Sequence, residues 1–143
     1  MTAGFTLNIV LVVTLSLLVA GGLAAETGKA PEAESAARGR ALYETYCQMC
    51  HGAQGVGEPV IPWSIRLPGY HSAPALDDTQ HAWHHSDEQL ATMILEGSRR
   101  SERMRGWKEL LSSEDASDLV AYIKSLWRAR ALECQGPKHM SCM

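Results

Sequence analysis

A chain of 143 residues has room for one small domain and a terminal segment. Its net charge of −3, with no long run of like charge, argues against non-specific nucleic-acid binding, so no nucleic acid is expected as a partner. The apolar fraction of 45% is ordinary, but aromatics make up only 6%, which leaves a thin core unless a large apolar cofactor joins it.

Residues 1–25 carry no Asp, Glu, Lys or Arg, and Phe5 to Val19 is largely apolar. This is the composition of an export or anchoring segment. Gly22, Ala24 and Ala25 supply small residues before Glu26, the first charge, which favours a cleaved signal peptide. Against that, no basic residue opens the segment, and its apolar length suffices to cross a bilayer, so anchoring through residues 5–25 stays open. Either way the remainder is expected to be periplasmic or otherwise extracytoplasmic, where disulfides persist. Residues 26–34, with Gly28 and Pro31, read as a linker. A domain over 35–132 and a tail over 133–143 follow.

Helical periodicity starts near Ser35, a suitable N-cap, and places Gly39, Leu42, Tyr43 and Tyr46 on one face. A glycine on a packing face lets another backbone come close. The helix runs into Cys47-Gln48-Met49-Cys50-His51, a spacing that marks covalent c-type haem attachment. Two thiols can bond the two vinyl groups of one porphyrin, and the adjacent imidazole can ligate its iron. The competing reading, a thioredoxin-like dithiol, needs a βαβ setting that is missing here and has no use for His51.

Gly52 to His85 is rich in Gly, Pro and His without a sustained period, a long loop of the kind that covers something. A helix follows. Ser86 and Gln89 form a capping box, Leu90, Met93 and Ile94 a stripe, and Gly97 a stop. Ser98 to Lys108 is expected to be irregular and contains Met104. The last helix opens at Ser112 or Ser113, with Glu114 and Asp115 in its first turn. Its stripe runs through Ala116, Leu119, Val120, Ile123, Leu126 and Trp127. The helix is expected to fade near Leu132 into an irregular tail.

A haem iron held by His51 needs a sixth ligand, and Met or His closes the site for electron transfer while an empty position serves gas or peroxide chemistry. Met93 belongs to a helix stripe, and Met140 and Met143 to the tail. Met104 lies between two helices, far from His51 in sequence, so it can approach from the opposite haem face. It is the expected sixth ligand. The metal set is thus His51 and Met104, and the cofactor one covalently attached haem c per chain.

With these residues in view, the chain resembles the class I cytochromes c from Ser35 to Arg130. Gly39-Arg40-Ala41-Leu42-Tyr43 looks like the family's N-terminal helix, and Leu119 and Tyr122 like the answering pair of its C-terminal helix. Met104-Arg105-Gly106-Trp107 is similar to the family's Met-Pro-x-aromatic loop, with Arg105 replacing the proline. The resemblance implies an all-α fold of three main helices and long loops around one haem. It also implies Trp107 beside the cofactor and a proline carbonyl that receives the second ring nitrogen of His51, for which Pro74 is the candidate and Pro62 and Pro68 are rivals. The implied function is one-electron transfer between redox-protein donor and acceptor, with no catalysis and no small-molecule substrate.

Three further groups stand apart. His81, His84 and His85 flank Trp83 and are expected to line the haem edge, although imidazoles at this spacing also suit Zn²⁺ or Cu²⁺. Cys134 and Cys142 can close a disulfide around Gly136-Pro137, bind a soft ion with His139 and Met140, or remain thiols. Arg99, Arg100, Arg103 and Arg105 surround Met104, a positive rim suited to an acidic partner face. The competing functions are a haem enzyme or sensor with an open iron position, and a copper-handling protein.

Overall fold

Ala, Glu and Arg are strong helix formers, and they dominate α1 (Ala30–Tyr46). The computed structural model describes Met1 and residues 30–142. The expected signal or anchor over 1–25 lies outside them, as does Met143. Among the described residues no helix is long and apolar enough to cross a membrane.

Helix α1 starts at Ala30, ahead of the expected cap, so the end of the expected linker is helical. Proline is tolerated in a first helical turn, and Glu32 suits the positive end of the dipole. Ser35 caps nothing. Its hydroxyl donates instead to Asp118 Oδ1 at 2.5 Å.

After a one-residue break at Cys47 the short helix α2 (Gln48–His51) follows. The loop to His85 holds only two 3₁₀ turns, Ala53–Gly55 and Ala82–His84. Helix α3 (Asp87–Glu96) carries the capping box, with Gln89 N donating to Ser86 Oγ and Ser86 N to Gln89 Oε1. It stops at Gly97, whose φ of 84° glycine adopts without strain.

Beyond Gly97 the chain departs from expectation. The segment expected to be irregular forms an antiparallel hairpin of β1 (Gly97–Ser98) and β2 (Ser101–Arg105), and Met104 lies on its second strand. Contacts distant in sequence impose this shape. The Trp107 and Lys108 amides donate to the Ile94 and Leu95 carbonyls at 3.1 Å each. That pulls the chain back along α3, close enough that a Cβ on Gly106 would lie 2.5 Å from the Leu95 carbonyl oxygen.

Helix α4 (Ser113–Ser125) opens on a second capping box, Ser112 with Asp115. The expected stripe is buried at Ala116, Leu119, Val120 and Ile123, but the helix ends at Ser125 rather than near Leu132. Trp127 leaves the helix and donates Nε1 to the Leu76 carbonyl at 2.8 Å, while the Arg128 amide and guanidinium bind Asp78. A separate short helix, α5 (Ala129–Glu133), takes up the rest of the expected helical stretch, and the tail after it, expected to be irregular, holds a 3₁₀ turn at Gly136–Lys138 and α6 (His139–Cys142). The molecule is therefore mostly helical with a small two-stranded sheet.

The core sits where α1 crosses α4. Tyr43 and Leu119 are wholly buried, and the Tyr43 and Tyr122 rings lie 5.0 Å apart. A Cβ on Gly39 would overlap the Asp118 carbonyl, so only glycine lets the two backbones meet there. Asp118, itself buried, takes a bidentate grip from Arg38 at 2.6 and 2.8 Å. Leu90 and Ile94 of α3 extend this core.

Candidate functional site

The end of α1 delivers Cys47, Cys50 and His51 within little more than one helical turn. Both cysteines carry free thiols and are half-buried. Burial, reinforced by the neighbouring Cys50, pushes the Cys47 thiol up to about 11, so it stays protonated at neutral pH. His51 is only 8% exposed, and burial lowers its pKa against the opposing pull of the Pro74 carbonyl. A buried neutral imidazole is the form that ligates metal.

Its tautomer follows from one bond. His51 Nδ1 lies 2.9 Å from the Pro74 carbonyl oxygen, and a carbonyl only accepts, so Nδ1 holds the proton and Nε2 keeps its lone pair. The local chain is shaped for this contact. Tyr43 Oη donates to the Gly52 carbonyl at 2.7 Å, and the Gly57 amide to the His51 carbonyl at 2.7 Å. Gly57 has φ 77°, and a Cβ there would stand 2.6 Å from the Ala75 nitrogen and 2.8 Å from the Pro74 carbonyl carbon. The rival Pro62 carbonyl is taken by the Ile65 amide at 3.1 Å.

Glu58 and Ala73 then clip the loop together. The Glu58 amide donates to the Ala73 carbonyl at 2.9 Å, and the Ala73 amide donates to Glu58 Oε2 at 2.8 Å. Arg103 binds the same carboxylate through two nitrogens, both at 2.7 Å. It also donates to the His71 carbonyl at 3.0 Å and lies 4.6 Å over the Tyr70 ring. The Arg103 guanidinium, aided by the Ala73 amide, holds the Glu58 carboxyl down at about 2. Glu58 and its grip on Arg103 escape a reading of sequence. The available signal is that Glu58 is the one acid between Glu44 and Asp77.

Met104, next to Arg103 on β2, is half-buried. Trp107 packs on Tyr46, the last residue of α1, with ring centroids 5.4 Å apart, and Arg105 lies 4.7 Å over the Trp107 ring. The structure thus brings Cys47, Cys50, His51 and Pro74 together, with Trp107 alongside through Tyr46 and Met104 linked through Arg103. The donor set suits a c-type haem: two free thiols for the porphyrin, and one buried imidazole with Nε2 available for iron. Val60, Trp63, Ile65 and Leu67 of the long loop are each more than 70% exposed, apolar surface that the chain itself leaves uncovered.

The other groups gather elsewhere. His81, His84 and His85 cluster, and His84 stacks on His139 with centroids 4.6 Å apart. His81 meets His84 at a tilt and His85 edge-on. Among the described residues no three His, Cys, Asp or Glu side chains come together as a metal-holding group. Burial and neighbouring imidazoles keep His84 below the ordinary histidine range, and burial, His85 and Arg100 do the same for His81. Cys134 and Cys142 are joined in a disulfide, with Cα atoms 5.9 Å apart, so the tail offers no thiolate to a soft ion.

Residues 34–123 match the family described as Cytochrome C oxidase, cbb3-type, subunit III, well over half of the chain. No solved structure matches the chain.

Proposed function

Because the chain belongs to the family of cytochrome C oxidase, cbb3-type, subunit III, and is a class I-like c-type cytochrome, we propose that it carries one electron at a time through a single haem c ligated by His51 and Met104. Family membership implies haem c and redox-protein partners. The ligand set, the covalent bonds and the count of one haem are this proposal. The observation that carries it is the buried His51 imidazole, held by Pro74 with Nε2 left to ligate.

Each residue then has a defined task. Cys47 and Cys50, both free thiols, would hold the porphyrin through thioether bonds to its two vinyl groups. His51 Nε2 supplies the fifth ligand, and Pro74 fixes its tautomer and ring plane. Met104 supplies a thioether as the sixth, which favours the ferrous state over a second histidine. Trp107 covers the motif beside Tyr46. When bound, the haem supplies a metal that shuttles between ferrous and ferric states. With His51 and Met104 both committed to the iron, the site would offer no position to a small-molecule substrate. The domain works outside the cytoplasm, where its apolar N-terminal segment directs or anchors it.

The visible spectrum of the exported protein tests this. The expected result is the weak red-edge band of sulfur-ligated ferric haem, with a reduced spectrum that carbon monoxide leaves unchanged. Ready carbon monoxide binding without that band would mean an open iron position and a haem enzyme or sensor.

A further inference from the structure

We infer that Arg103 and Glu58 form a positioning clamp that ties the strand carrying Met104 to the loop carrying Pro74, and so keeps the sixth iron position closed. The inference rests on the His51 and Met104 reading above. A continuous path of bonds supports it. His51 Nδ1 is held by the Pro74 carbonyl. The residue before Pro74, Ala73, is bonded to Glu58 through both its amide and its carbonyl. The Glu58 carboxylate takes both arms of the Arg103 fork, and the next residue is Met104. One ligand is thereby linked to the other through hydrogen bonds, two pairs of adjacent residues and a single ion pair.

Little else fastens β2 on that side. It pairs with β1 at Gly97 and Ser98 only, with an irregularity between them, and β1 in turn follows α3. Arg103 instead crosses to residues 58, 70 and 71, where it makes three hydrogen bonds and lies on the Tyr70 ring. A planar fork matched to a carboxylate fixes direction as well as distance. The side chains are 37% and 23% exposed, so water weakens the pair without replacing its geometry. Arg99 and Arg100, also on this hairpin, form no ion pair among the described residues. Arg105, on the other side of Met104, lies over Trp107, so among the described residues Arg103 is the hairpin arginine with an acidic partner.

The test is carbon monoxide titration of the reduced holoprotein, because carbon monoxide binds only when Met104 leaves the iron, and its apparent affinity reports the open fraction. Glu58→Gln and Arg103→Gln are each expected to raise that affinity about fivefold, the upper end for a partly exposed pair. The double variant is expected to match Arg103→Gln, since that substitution already removes the ion pair lost in Glu58→Gln, together with the His71 and Tyr70 contacts. Arg103→Lys keeps the charge but loses the fork, and is expected to fall between. Both positions are partly exposed, and far-UV circular dichroism verifies that each variant is folded.

Additive effects, a silent Glu58→Gln beside an active Arg103→Gln, or unchanged affinity in every variant would overturn the clamp while leaving the axial ligands intact. A native protein without the sulfur band, binding carbon monoxide freely, would overturn the Met104 reading itself and the clamp with it.

Discussion

Asp118 and Gly39 meet where α1 crosses α4, and each makes a claim that can be measured. A methyl group on Gly39 would overlap the Asp118 carbonyl. Gly39→Ala should therefore destabilise the fold by about 1–3 kcal/mol, although alanine is the better helix former. Urea unfolding reads this directly, and a variant as stable as the native chain would mean the helices do not touch there. Asp118 makes a pH-dependent claim. The Arg38 guanidinium, with help from Ser35, holds its carboxyl below the usual range. The folded value is depressed, so this stability is present above the unfolded carboxylate value near pH ~3.9 and is lost as pH falls through the lower folded value. Asp118→Asn should cost about 1–3 kcal/mol at pH 7 and progressively less below pH ~4. An equal cost at pH 7 and well below pH ~3.9 would contradict the bonded carboxylate, since the unfolded group binds its proton there and the pair's contribution must shrink. Gly39 was readable, because glycine on a helical packing face has few other uses. Asp118 was not, because an acid inside an apolar stripe looks solvent-facing until Arg38, distant in sequence, is folded against it.

The same division between local and distant causes holds for whole elements. The body of α1, the start of α3 and the start of α4 were legible because capping boxes, first-turn acids and apolar stripes act within a few residues. The hairpin was not. Ser101-Glu102-Arg103-Met104-Arg105 lacks the alternation of a half-buried strand, and its shape comes from the Ile94 and Leu95 carbonyls holding the chain after it. The end of α4 likewise depends on Leu76 and Asp78, which draw Trp127 and Arg128 off the helical path. The tail makes a prediction of its own. The Cys134–Cys142 bond closes a short loop, whose cross-link contributes about 2.5 kcal/mol in the chain-entropy picture. The rest of the tail is held by contacts such as Gln135 Nε2 to the His85 carbonyl and to Asp87. Cys142→Ser should therefore speed amide exchange over residues 135–142 while α1 and α4 keep their protection. Unchanged tail protection would assign its order to packing alone; lost protection in α4 would make the disulfide part of the main core.

At the scale of the whole molecule, the attachment motif was legible because Cys47, Cys50 and His51 are adjacent in sequence. What ties the site together was hidden, because Glu58, Ala73 and Arg103 come from separate segments. Charge behaves the same way. Four arginines around Met104, interrupted by Glu102, predict a local positive rim, but Arg103 is neutralised by Glu58 and Arg105 lies against Trp107. Arg99 and Arg100 remain exposed in the turn between β1 and β2, on a chain whose net charge is −3. The overall and local charges therefore predict opposite behaviour toward a small anion. If net charge governs approach, oxidation of the reduced protein by hexacyanoferrate should speed up as salt screens repulsion. If transfer occurs near the hairpin, the two arginines dominate at short range, and oxidation should slow as salt rises. The second outcome is expected, because the proposed ligand Met104 lies on this hairpin. Replacing Arg99 and Arg100 by Gln should then reverse the sign of the salt dependence while leaving the reduced spectrum unchanged. A native rate that already rises with salt would place the electron-transfer edge away from the hairpin, and an acidic partner would then have no electrostatic reason to dock there.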